Sequence, residues 1–133
     1  MVWVILIFIS LTFGLAVFVL LKQGRKKDFK LEELNYIRSH WIRIIDIVKM
    51  NPNQAVMDAD KILDYALLRK GFEGNLGEKL KKAGAKFSDL NGVWSAHKLR
   101  NRLAHEMGEI GKEEARIALR NFKRALNDLG AKL

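Results

Sequence analysis

Four side chains that do chemistry fall close together in this chain: His97, Arg100, Asn101 and His105. They lie in Trp94-Ser95-Ala96-His97-Lys98-Leu99-Arg100-Asn101-Arg102-Leu103-Ala104-His105-Glu106, a stretch that is apolar and basic at once. An imidazole moves protons near neutral pH. A guanidinium is permanently charged and grips oxyanions through a planar fork. Together they offer proton transfer beside an anion clamp. Read as structure instead, Arg100 is a buried arginine with a carboxylate partner, and His105 is a helix-end histidine favoured by the dipole.

A helix must position them. At about 100° per residue, Ala96, Leu103, Met107, Val93 and Ala104 share one side. His97, Asn101 and His105 follow each other one turn apart on a neighbouring side, with Trp94 beside them. Ser95, Lys98, Arg102 and Glu106 make the solvated face. A wet face so narrow predicts a helix covered twice, by its own core and by something else. Arg100 lands inside the apolar side, where an unpaired charge is costly. His105 lies about 140° further round, within reach of the long arginine stem.

The string Arg100-Asn101-Arg102-Leu103-Ala104-His105 reads R-N-x-x-x-H. It resembles the ribonuclease motif of the HEPN family, an arginine and a histidine a short spacer apart, often with a polar residue after the arginine. The resemblance spans Leu31 to Gly130, and Ala55 to Asp64 looks like the second helix of HEPN relatives. It implies a metal-independent endoribonuclease with Arg100, Asn101 and His105 as catalytic residues. His105 would transfer protons, Arg100 would hold the phosphate, and Asn101 would position either. It implies RNA as substrate, and a homodimer through the helix 88–107 that gathers two copies of the motif in one cleft. A role in stress or phage defence would follow. His97 lies outside the family motif and reads as a packing or interface residue. Many HEPN domains serve only in binding, so the alternative is a non-catalytic, membrane-anchored RNA-binding or protein-interaction module. No residue pattern names a neutralising partner.

The totals bound these readings. The chain has 133 residues and a formal net charge of +9, enough for one small domain and an appendage. It contains no cysteine, which excludes a disulfide scaffold, a thiolate metal site and a cysteine nucleophile. Three histidines without a close acidic cluster argue against a structural metal, and no cofactor is expected. The basic excess suits a polyanion, an anionic membrane surface or simple solubility.

Residues 1–21 carry no charge and are long enough to cross a hydrocarbon core of about 30 Å. A cleaved signal peptide would want a basic start and a shorter apolar run. A transmembrane helix is therefore expected at 1–21. A basic juxtamembrane linker follows at 22–30, with Lys22, Arg25, Lys26, Lys27 and Lys30. The positive-inside rule then puts the N-terminus outside and the rest in the cytoplasm. Residues 31–133 read as an all-α, HEPN-like bundle of four to five antiparallel helices without a strand. The expected helices are Leu31 to Met50, Pro52 to Lys70 capped by Asn51, and Leu76 to Ala83 capped by Asn75. The motif helix follows from Ser88 or Asp89 to about Met107, then Lys112 to Leu129. Leu34, Ile37, Trp41, Ile44, Ile45 and Val48 are expected inward on the first of these. Asp60 and Asp64, one turn apart, read first as a solvated acidic stripe near Lys61. The sharper reading makes Asp60 the partner of Arg100 inside the bundle.

Overall fold

The structure is a computed structural model that describes residues 1–24, 28–106 and 108–133, with side chains described outside 20–24. It is all-helical among these residues: α1 (Val2–Gly24), α2 (Leu31–Ile47), α3 (Pro52–Arg69), α4 (Leu76–Ala83), α5 (Leu90–His105) and α6 (Lys112–Asp128). A single 3-10 turn, Gly84–Lys86, follows α4.

The first helix stands apart in chemistry. Its window Val2–Val19 has a mean hydropathy of 2.7 and no buried share. Its 23 residues extend about 35 Å, enough to cross a bilayer. The hydroxyl of Thr12 donates back to the carbonyls of Phe8 and Ile9, which satisfies a polar group without water. The helix continues past the expected end at Leu21 to Gly24, so Lys22 lies in its last turn. Arg25, Lys26 and Lys27 of the expected linker lie outside the described residues.

In the bundle, α3 is the central element and packs on α2, α4, α5 and α6. Its sequence explains this. Ala55, Ala59 and Ala66 let neighbouring helices approach, while Val56, Ile62, Leu63 and Leu67 fill the space between them. Against them pack Ile37, Trp41 and Ile44 of α2, Leu80 of α4, Val93 and Ala96 of α5, and Leu119, Phe122 and Leu126 of α6. Burial of large apolar groups of this kind stabilises by about 1.5–3 kcal/mol each.

Local chemistry sets the ends. Asn51 accepts from the N–H of Gln54 at 3.0 Å and Pro52 opens α3. Asn51, the residue before the proline, is non-helical at φ −140° and ψ 79°, and α2 ends at Ile47, three residues before the expected Met50, with a turn over 48–50 between them. At the far end of α3, Gly71 takes φ 93°, and the N–H groups of Phe72 and Gly71 bond back to Leu67 and Leu68. The same pattern ends α6 at Gly130. Both ends fall one residue before the expected one, because the last residue has become the cap. Helix α4 ends at Ala83 with Gly84 as its C-cap, as expected, and Gly84 keeps helical dihedrals and opens the 3-10 turn that brings Phe87 into the core. Ile45, expected inward, is 49% exposed. Helix α2 packs on α3 with one narrow face, and Ile45 sits beyond its edge.

The motif helix is clamped at both ends. Asp89 caps it, accepting from the N–H of Gly92 at 2.9 Å, and its other oxygen takes Arg124 of α6 at 3.0 Å. Asn53 holds the loop after it: its amide donates to the Gly108 carbonyl at 2.8 Å and its oxygen accepts from Ile110 at 3.0 Å. Asp89→Ala should cost about 1 kcal/mol of stability, as cap removals do. Urea unfolding followed by circular dichroism measures it, and an unchanged midpoint would refute the role of this cap.

Candidate functional site

The site forms where α5 crosses α3. Asp60 occupies the apolar stripe of α3 between Val56 and Leu67, where an aliphatic residue would ordinarily sit, and its side chain is 7% exposed. Facing it across the helix pair, His97 places Nδ1 at 2.9 Å from Asp60 Oδ1. Arg100 places Nε at 3.3 Å from Asp60 Oδ2. The carboxylate is therefore shared by two groups one turn apart on the same helix.

Asn101 closes a ring. Its Oδ1 accepts from Arg100 Nη1 at 3.3 Å, and its Nδ2 lies 3.4 Å from His97 Nε2. These bonds agree on one imidazole tautomer, with the proton on Nδ1 donated to Asp60 and the lone pair on Nε2 facing the amide of Asn101. Trp94 stands edge-on to the His97 ring at 6.0 Å and supports it from the preceding turn. The Arg100 Nε–H is buried and, despite its ion-pair distance, is not aligned for a hydrogen bond. Among the described residues, Nη2 of Arg100 makes no protein bond. The guanidinium is thus held by the charge of Asp60 at Nε and by Asn101 at Nη1, which leaves Nη2 for a further acceptor.

This ring forms one wall of an open depression of about 530 Å³ between α3, α5 and the start of α4. Asp64 and Lys61 line the α3 side, and Asn75 and Gly77 line the other. Lys79, only 4% exposed, reaches Asp64 at 2.8 Å, an α3-to-α4 ion pair one turn along α3 from Asp60. The depression therefore carries guanidinium, amide and imidazole on one side and paired carboxylates on the other.

Of the expected site residues, Arg100 and Asn101 meet directly. His105 does not join them within one chain. It is the last residue of α5 and is exposed, and among the described residues its ring makes no hydrogen bond. It stands about 7.5 Å along the axis from Arg100. The reading of Asp60 as a solvated stripe is corrected: it is buried and pairs with Arg100, because its register on α3 points into the α3–α5 contact. Asp64 keeps a half-exposed position. His97, read as a packing residue, is bonded into the ring. The signal for both was present, since an aspartate within the 56–67 stripe needs a cation and the motif helix supplies one.

The covering of α5 is incomplete. Its buried residues are Val93 and Ala96, both in its first half. From Leu99 to His105 every side chain is half-buried or exposed, Ala104 included. Met107 lies outside the described residues.

The chain matches no family model, no curated protein and no solved structure.

Proposed function

We propose that this protein is a membrane-anchored, metal-independent endoribonuclease of HEPN type, built from two copies that pair along the helix 88–107. The observation that carries the reading is the uncovered second half of α5, which presents Arg100, Asn101 and His105 on a surface its own bundle leaves open. A second copy packed there would cover Leu103 and Ala104 and bring two motifs face to face.

The chemistry follows from the side chains. His105 takes the proton from an RNA 2′-hydroxyl, whose oxygen attacks the adjacent phosphorus. Arg100 holds the phosphorane oxygens through Nη2 while the Asp60 carboxylate pairs with its charge at Nε. A second imidazole, His105 of the other copy, protonates the leaving 5′-oxygen. The products are a 2′,3′-cyclic phosphate and a 5′-hydroxyl. Asn101 keeps Arg100 and His97 in register. In this reading α1 spans the membrane with its N-terminus outside, and the basic block after it keeps the domain in the cytoplasm. The test is RNA cleavage by the full-length protein in EDTA, compared with His105→Ala.

One observation favours a second reading. The Asp60–His97–Asn101–Arg100 ring is self-consistent without a substrate, as a structural network would be, and His105 stands outside it. A dimerising, non-catalytic RNA-binding or protein-interaction module would use the same surface. Both readings require pairing. Light scattering of the full-length chain in detergent should give twice the 15.3 kDa protein mass, and Ala104→Arg should halve it. A variant that stays dimeric would place the contact elsewhere.

A further inference from the structure

Away from the motif, α2 and α6 flank a groove of about 480 Å³. Its floor is apolar, made by Trp41, Ile45, Val48 and Leu119. Its rim is cationic: Lys49 from the turn after α2, and Lys112, Arg116, Arg120 and Lys123 from α6. The α6 cations recur at one- and two-turn spacing, so they form a single stripe. No carboxylate lines the groove. The adjacent Glu113 is engaged by Arg116 at 2.9 and 2.5 Å, and that guanidinium holds its carboxyl below the usual carboxylate range. Beside the groove, α2 exposes Ile42 at 62% and Ile45 at 49%. On the helix wheel these share a side with Leu31 and Arg38.

We propose that this α2–α6 face docks on anionic lipid headgroups of the bilayer that α1 enters. The inference rests on the membrane reading of α1 and is independent of the ribonuclease reading. Two features point to a lipid surface. The face combines exposed aliphatic side chains with a ring of cations, the composition that settles at the boundary between headgroups and acyl chains. It also belongs to the first helix after the anchor. Residues 25–30 extend at most about 20 Å, and α2 is about 25 Å long, so the groove stays within reach of the bilayer surface. A nucleic acid would use the cations but would gain nothing from exposed isoleucines, and Trp41, 7% exposed, is not available to stack on bases. Docking this face would leave α5 available to a partner, because no residue of α5 lines the groove.

The absence of cysteine makes the test direct. Full-length Ile45→Cys, labelled with an environment-sensitive fluorophore, is reconstituted into vesicles of phosphatidylcholine alone or with phosphatidylserine. Flotation with both vesicle types reports insertion of α1. A blue-shifted emission in the phosphatidylserine vesicles alone is expected. Arg120→Glu with Lys123→Glu should abolish it, as should 1 M salt, where screening falls to about 3 Å. The same label at Ser95→Cys on α5 should not respond. Flotation without a lipid-dependent shift would overturn the docking while leaving the anchor intact. Failure to float would overturn the anchor on which it rests. A shift produced by added RNA and not by phosphatidylserine would assign the groove to nucleic acid and overturn the proposal.

Discussion

Replacing His105 by alanine is expected to lower RNA cleavage by about 10²–10⁴-fold, the usual worth of a positioned proton-transfer group. The ring is exposed at the end of α5 and makes no bond among the described residues, so its loss should leave the fold intact. Circular dichroism of the variant checks that. Arg100→Ala should be at least as damaging, because it removes charge stabilisation from the phosphorane. Arg100→Lys should recover only part of the rate. An ammonium is a single point of charge and cannot stay beside Asp60 and also reach a phosphate, as a planar guanidinium with separated nitrogens can. The variant at His97 separates the two roles on this helix. His97→Ala should retain most cleavage while losing stability, since its imidazole is committed to Asp60 and Asn101. Equal losses for His97→Ala and His105→Ala would mean that the ring, and not the helix end, carries the reaction.

Asp60→Ala is expected to cost about 3 kcal/mol of stability, the lower end of the range for removing one partner of a buried ion pair. The lower end applies because the Arg100 side chain is 29% exposed and keeps some solvent. The variant leaves a guanidinium and an imidazole facing an apolar hole on α3. For a domain of this size, 1 kcal/mol corresponds to about 4–8 °C in melting temperature. The melting temperature should fall accordingly, and cleavage should fall with it below the melting point, because Arg100 loses the carboxylate that fixes its position. A double-mutant cycle with Arg100→Ala reads the coupling directly: the double variant should lose clearly less stability than the sum of the singles. Strict additivity would show that the two side chains do not act together.

The parts of this molecule set by neighbouring residues were legible in its sequence. Asn51-Pro52, Asn75, Gly71 and Gly130 mark helix ends because caps and left-handed turns depend on a few adjacent groups, and each acts where its type predicts. The range Leu76–Ala83 was readable to the residue for the same reason. What periodicity could not decide was the width of each buried face. Ile45 carries the same apolar pattern as Ile44, yet exposure separates them because α2 has one neighbour along that edge. The candidate site was half legible. Arg100 and Asn101 stand together as their adjacency requires. The choice between a solvated and a buried Asp60 depended on which side of α3 the motif helix crosses, and that is a tertiary fact. His105 ends exposed at the last turn of α5, where its own bundle fixes no partner for it among the described residues.

The most direct measurement of the account is cleavage of a defined RNA by the full-length, membrane-inserted protein in excess EDTA, with the ends of the products identified. The account predicts cuts that leave a 2′,3′-cyclic phosphate, that vanish when the scissile nucleotide is 2′-deoxy, and that disappear with His105→Ala. An inserted, dimeric wild-type protein that leaves the RNA whole would contradict it, as would cutting that His105→Ala preserves.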